Sequence, residues 1–414
     1  MTLEQLSPLS QEQSEDIYDI AIVGGGIVGA TLAVALKETG LKIAIIEAKP
    51  LAVAISRRQA YAITVLSGLI YEGLGVWGKM RPHIAQFRRI HLSDSDRAGV
   101  VFNTDDLGRE FLGYVAEHRV LLSALQETTA HCSNISWLCP AEVVGVKYEE
   151  WAWLTVSQAG EKRQLRAKLV VGADGARSQI RTSAGIRTRG WKYWQSCVAT
   201  TIRHQAPENE TAFERFWSTG PMGVLPLPGN RCQVVWTNPH AQAQALQALD
   251  EQEFLTRLEQ YTGGLLGRLE LAGDRVVFPV QLMQSDRYVK HRLALVGDAA
   301  HCCHPVGGQG LNLGIRDAAA LAQVLQAAHQ RGQDIGDIRV LKRYERWRKR
   351  ENLAILGFTD LLDRTFSNNW LPVVASRRLG LWTMRTLPPV KVFALQLMTG
   401  LKGRKPQLAQ AGMR

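Results

Sequence analysis

Residues 18–47, YDIAIVGGGIVGATLAVALKETGLKIAIIE, leave the chain little choice of fold at its start. The apolar run Ile20–Val23 has the length and character of a buried parallel strand. Glycines 24, 26 and 29 follow in G-x-G-x-x-G spacing. A helical run to about Thr39 is stopped by Gly40, and a second strand, Lys42–Ile46, ends in Glu47. In such a βαβ unit Gly24 makes the turn, Gly26 admits a pyrophosphate, and Gly29 lets helix pack on strand. Gly24, Gly26, Val28 and Gly29 are therefore candidate dinucleotide contacts. Glu47, 18 residues beyond Gly29, stands where a ribose would offer its hydroxyls, and its charge opposes a 2′-phosphate. The glycine spacing alone is a weak signal, but strand, glycines, helix, strand and acid in register are a strong one.

A second stretch, LALVGDAAHCCHPVGGQGLNLGIRD (293–317), begins as a strand, Leu293–Val296, and breaks at Gly297-Asp298. A loop with Pro305, Gly307, Gly308 and Gly310 then enters a helix through Leu311. A carboxylate at a strand tip can accept hydrogen bonds from sugar hydroxyls. Glycines ahead of a helix let backbone N–H groups and the positive end of its dipole approach an anion. The pattern GDAAH-x-x-HP-x-x-GQG-x-N-x-G-x-RD resembles the flavin-dependent aromatic hydroxylases (class A monooxygenases), and is especially similar to their ubiquinone-biosynthesis branch. That resemblance selects FAD over NAD. It implies that Asp298 holds the ribityl chain, that the Gly310, Leu311 and Asn312 amides stabilise reduced flavin, and that Pro305, Gly308, Gln309 and Gly310 position the ring.

The motif LVVGADGARSQIR (169–181), a strand stopped at Asp174-Gly175, is similar to the D-G motif of the same family, and the three motifs occur in the family's order. Asp174 and Gly175 then face the pyrophosphate, a reading their place in that order favours over Asp174 as only a helix N-cap. The resemblance departs at residues 55–77: the family's flavin-side arginine aligns with Gln59, so either Arg58 replaces it or Arg58 is a solvated cation. A helix expected over 112–129 would bring Arg119 to the pyrophosphate or leave it exposed.

Length argues for more than one core. The implied architecture is α/β: a Rossmann-like FAD-binding domain (18–82, 107–185 and 285–350), a smaller mixed-sheet substrate domain (83–106 and 186–284) and a helical C-terminal extension (351–414), as in the para-hydroxybenzoate hydroxylase-like fold. Residues 1–17 read as a flexible leader. Alternation at 90–102 suggests a hairpin joining the substrate sheet, and 141–171 a three-stranded meander. Phe216, Trp217, Leu225, Pro226 and Trp236 are candidates for an apolar pocket or for plain core.

The net charge of +11 is local: residues 331–414 hold 17 Lys/Arg against 6 Asp/Glu, while the other 330 hold 32 of each. Trp370, Leu371, Leu381, Trp382, Phe393, Leu395 and Leu397, interspersed with Arg377, Arg378, Lys402, Arg404 and Lys405, suit either an interfacial element on anionic lipid or a helical pair packed on the FAD domain. No recognition motif accompanies the charge, which argues against nucleic acid. The adjacent Cys302 and Cys303 between His301 and His304 lack zinc spacing, so no metal is expected. Six cysteines without a framework, and no apolar leader, fit a cytoplasmic protein, with peripheral membrane association open.

The resemblance implies NAD(P)H as donor, O2 as co-substrate and oxygen transfer to a prenylated phenol through a C4a-hydroperoxyflavin. Competing readings are an isoprenoid- or carotenoid-modifying flavoprotein (reductase or non-redox cyclase) and a flavin-bearing scaffold of a quinone-biosynthesis complex.

Overall fold

The computed structural model describes residues 16–94 and 99–411. Strand Asp16–Val23 lies at the centre of an eight-stranded sheet. Its parallel neighbours are Ile43–Ile46 and Glu161–Gly172, flanked by the parallel strands Ile135–Leu138 and Leu293–Leu295. Such a strand is covered on both faces, so it reads as a continuous apolar run, and Ile20, Ala21 and Ile22 are fully buried. Helices Ile27–Ala35 and Gln309–His329 pack together over it. The meander is Glu142–Tyr148, Ala152–Gln158 and Glu161–Gly172, paired antiparallel.

A nine-stranded mixed sheet stands beside it. Its main path runs through strands 301–302, 276–285, 188–204, 231–239, 220–227, 211–217, 89–94 and 100–103. All pair antiparallel except 211–217 with 89–94. The 90–102 hairpin thus joins this sheet through its first strand.

Local expectations change in three places. Residues 113–117 form a strand, not the start of a helix, and pair with Ala60–Thr64 and Ala85–Phe87 in a small third sheet. Gly113 permits this because the Phe87 ring occupies the place of its missing Cβ, at 2.4 Å. The helix begins only at His118. Of the expected leader, residues 1–15 lie outside the described residues, and Asp16 and Ile17 already pair with Leu165 and Arg166.

The C-terminal part is helical over Ile338–Phe366, Leu371–Thr386, Pro388–Met398 and Gln407–Ala411. Arg377, expected on a basic surface, is instead buried: it donates to Asp94 at 3.0 Å and to the Asn368 carbonyl at 2.7 Å, tying these helices to the mixed sheet. Leu381 and Leu395 are buried as well, while Trp370 and Trp382 are exposed.

Candidate active site

Four neighbouring parallel strands explain why motifs distant in sequence meet. In sheet order 293–295, 161–172, 16–23 and 43–46, they end in Gly297-Asp298, Asp174-Gly175, the glycine turn and Glu47. Ligands of such sheets bind beyond the carboxyl ends of the strands. Here the backbone is packed as tightly as glycine allows. A Cβ on Gly24, at φ +107°, would meet the Ala173 carbonyl oxygen at 2.4 Å, and one on Gly29 would meet the Gly24 carbonyl oxygen at 2.0 Å. Nothing stands within 4 Å of the corresponding place on Gly26. Glu47 accepts from the Gly25 and Lys49 N–H groups at 2.8 and 3.0 Å, which fixes it at the strand tip with acceptor capacity to spare.

Asp174 is not the helix N-cap: Ser178 fills that role, accepting from Arg181 N–H at 2.9 Å. One Asp174 oxygen accepts from Ile180 N–H at 3.1 Å, and the other is buried without a partner among the described residues. Arg181 donates to the carbonyls of Ala176 and Ala299, both at 2.9 Å, stapling the two acidic motifs together.

Asp298 opens into the central cavity, its side chain accessible from that space while protein packs around it. Desolvation raises its carboxyl pKa, with His301 opposing. Behind it, Val28 fills the space left by Gly297 and Gly314, where added Cβ atoms would meet its methyls at 3.3 and 2.6 Å. Gly307 and Gly308, at φ +65° and +61°, turn the loop into helix 309–329, whose first-turn amides at Gly310 and Leu311 border the cavity. Gln309 donates to the Gly307 and Met398 carbonyls, and Pro305 lies on the same rim. The Asn312 side chain is fully occupied within the protein: it accepts from Thr64 N–H at 2.8 Å and donates to the Ala62 and Gly308 carbonyls.

A buried ionic cluster supports this loop from behind. Asp317 accepts from Gly297 N–H, lies 2.6 Å from His301 Nε2, and accepts from Arg348 Nε at 2.8 Å and Asn352 Nδ2 at 3.0 Å. Burial alone would raise the Asp317 carboxyl, but His301 and Arg348 outweigh it and hold it at about 2.

The cavity, of about 440 Å³, joins these groups to the mixed sheet. Its far wall is apolar, with Phe102, Phe213, Phe216, Leu225 and Phe278. Glu214 is the one charged side chain that this sheet contributes among the described residues. It accepts from Gly307 N–H at 3.4 Å, and burial pushes its carboxyl up to about 7 against that hydrogen bond.

Several expected residues land elsewhere. Arg58 is exposed and 3.6 Å from Asp274, outside the cavity lining, whereas Arg57 and Gln59 line it. Arg119 is exposed and donates to Glu117 at 2.8 Å, while its neighbour His118 lines the cavity. Trp217 and Trp236 pack on Tyr261 in a separate core, and Pro226 is buried outside the lining. Tyr61, Glu214 and the Asp317 cluster carried no recognised signal, although Asp317 belongs to the Arg-Asp pair closing the 293–317 pattern. Among the described residues, no group of three His, Cys, Asp or Glu side chains could hold a metal.

The open Gly26, the unpartnered Asp174 oxygen, the carboxylates at Glu47 and Asp298 and the free helix amides fit an extended dinucleotide reaching the cavity. Residues 17–359 match the FAD binding domain family, and the chain belongs to it. It is an FAD-dependent monooxygenase. FAD is its cofactor, with the NAD(P)H and O2 typical of that class. An uncharacterised Synechocystis protein, slr1300, is 58% identical over 96% of each chain. The Rhodospirillum rubrum ubiquinone hydroxylase UbiL is 36% identical over 97% of this chain and 94% of its own. The solved structure of p-nitrophenol 4-monooxygenase PnpA from Pseudomonas putida superposes with a TM-score of 0.80 at 20% identity, covering 94% of this chain and 99% of PnpA, a likeness of fold.

Proposed function

We propose that the chain hydroxylates a prenylated phenol on the way to a quinone. The observation carrying this reading is a cavity whose one side is the FAD motif cluster and whose other side is a nearly uncharged aromatic wall. The hydroxylase name of the Rhodospirillum relative supports it. Bound FAD, reduced by NAD(P)H, supplies the electrons with which O2 is split between the ring and water. The chain's own part is to hold the dinucleotide through Gly24, Gly26, Val28, Gly29, Glu47, Asp174, Gly175 and Asp298. The Gly310–Asn312 turn places a positive helix end toward the ring, and the aromatic wall excludes water. The two sheets support assigning 83–106 and 186–284 to the substrate side.

The C-terminal helices expose Leu371 (79%), Trp370 (68%), Trp382 (59%) and Phe393 (52%), with Arg378 on the same helix as Trp382 and Lys402 over the Phe393 ring. No helix among the described residues is long and apolar enough to cross a membrane. We assign this face to the lipid surface that holds a prenylated substrate. Flotation with vesicles containing anionic lipid, but not with neutral ones, is expected; equal flotation with both, or flotation with neither, would remove the assignment.

Lipid extracts of a strain lacking the protein test the main reading. A prenylated phenol one oxygen short of the next intermediate is expected by mass spectrometry. Unchanged quinones with altered carotenoids or isoprenoid saturation would overturn it.

A further inference from the structure

Glu214 lies between the two halves of the cavity. Strand Thr211–Trp217 puts it in register with Gly223 on one side and Leu92 on the other. Gly223 has no side chain, and the place of its missing Cβ is 3.6 Å from Glu214 Oε2. The carboxylate therefore lies over a neighbouring strand without obstruction and reaches the Gly307 N–H of the flavin-side loop. An acid on an otherwise uncharged aromatic wall is costly to bury, and one weak backbone hydrogen bond compensates little. Nothing in the packing requires an acid here: an amide would fill the same space and accept the same Gly307 hydrogen bond.

We infer that Glu214 is a catalytic residue that accepts the substrate's phenolic proton as oxygen is transferred. This deepens the proposed function and rests on it, because it needs a phenol in the cavity. A neutral phenol is a poor nucleophile and a phenolate a good one. In the step, the phenol O–H bond breaks, its proton passes to a Glu214 oxygen, and the electron pair stays on the ring oxygen. One atom of O2 then forms the new carbon–oxygen bond. The other leaves as water, with two electrons and two protons from reduced FAD. As the ring regains aromaticity, Glu214 returns its proton to the original ring oxygen, and the proton displaced from the ring carbon is balanced by the one that completes the new hydroxyl. Burial brings the carboxyl to about 7, closer to a phenol near 10 than an exposed glutamate would be, so the transfer is less uphill.

Among the described residues, the other titratable groups lining the cavity are Arg57, Tyr61, His118, Asp298, Cys302 and Cys303, and on helix 338–366 stands Asp363, whose charge reaches the Cys197 thiol together with that of Glu214. On the same strand Arg215 donates to the Thr262 carbonyl, and His91 on the adjacent strand packs its ring against Phe213.

The test is a single turnover of purified holoenzyme. The flavin is reduced anaerobically with dithionite, 2-geranylphenol is added, and oxygenated buffer starts the reaction. Hydroxylated product and hydrogen peroxide are counted per flavin. E214Q is expected to keep its FAD, to lose about 100-fold or more in hydroxylation rate and to divert oxygen to peroxide. E214D should retain part of the rate. The wild-type rate should rise through pH 7, and this rise should vanish in E214Q. Coupled hydroxylation by E214Q within twofold of wild type, or a wild-type rate flat from pH 6 to 8.5, would overturn the inference. Should E214Q fail to hold FAD, the wild-type profile and its displacement in E214D decide the question. Failure of the wild type itself to hydroxylate any prenylated phenol defeats the substrate reading instead, and is visible without a variant.

Discussion

The two walls of the cavity are built from different material. On the side proposed to hold FAD the groups offered are backbone: Gly26 with open space above it, helix amides at Gly310 and Leu311, and packing so close that Gly24 and Gly29 admit no Cβ. On the side proposed for the substrate the lining is side chains, contributed by strands 89–94, 100–103, 211–217, 220–227, 231–239 and 276–285. A backbone site ties residue identity to position along the chain. A side-chain site asks only for the right shape at alternate positions of several strands, and many sequences meet that requirement.

The largest effect should come from removing the support behind the backbone wall. Asp317→Asn takes from buried Arg348 one of its two carboxylate partners, Glu351 being the other, and losing one partner of such a buried pair costs up to about 3–5 kcal/mol. Denaturant unfolding should show that drop, with FAD lost alongside. The pH dependence has a definite sign. Asp317 is held at about 2 in the folded chain, below its ordinary 3.8, so its contribution is complete above about pH 4 and is lost as pH falls through 2. Asp317→Asn should flatten that part of the acid-unfolding curve. An unchanged midpoint would mean that the wall does not depend on this cluster.

The glycines sharpen the comparison. Gly24→Ala forces a Cβ onto the Ala173 carbonyl at a positive φ, and should destabilise the protein by about 2 kcal/mol or more even without FAD. Gly26→Ala meets nothing within 4 Å in the protein, so the unfolding midpoint without FAD should barely move. On the proposed placement of the pyrophosphate against Gly26, the methyl competes for that space and FAD affinity should fall at least about tenfold, some 1.4 kcal/mol. Asp298→Ala should weaken FAD by about 10- to 100-fold, as expected for losing a hydrogen bond to a charged group. Equal losses of stability for Gly24→Ala and Gly26→Ala would erase the distinction between a glycine kept for packing and one kept for a ligand.

This difference in material also sets what could be read from the chain. The glycine turn, Asp174-Gly175 and Gly297-Asp298 were legible because each closes a strand of the same parallel sheet, and their order along the chain matches the family. Strand 113–117 was missed because LGYVAEHRVLL reads as one helix-forming run. Only its pairing with 60–64 and 85–87 separates the halves. Glu214 was invisible for a similar reason. AFERFW alternates like any strand, and what makes its acid unusual is the cavity in front of it and Gly223 beside it, which pairing supplies and spacing does not. The neighbours of Arg377 in sequence suggest a surface cation, yet its partner Asp94 is 283 residues away.

On the side-chain wall, single changes should leave the cofactor untouched. Leu225→Trp fills the aromatic side of the cavity and should lower hydroxylation of a prenylated phenol at least about tenfold with full FAD content. Loss of FAD in that variant would mean that the two walls are not separable.

The smallest effects fall at the junction, where the aligned arginine is absent. Arg57 lines the cavity, while Arg58 is exposed beside the equally exposed Asp274. Solvent-exposed pairs of this kind contribute about 0–1 kcal/mol, and salt screens them further. Arg58→Ala should therefore change FAD affinity and turnover by less than twofold. Arg57→Ala removes a cation from the cavity edge and should weaken FAD several-fold, about 1 kcal/mol, with the effect diminishing at high salt. Fluorescence titration of the apoprotein with FAD separates the two. The reverse ranking would show that the loop carrying these arginines rearranges around the bound dinucleotide, making this rim the one part of the backbone wall that is not preformed.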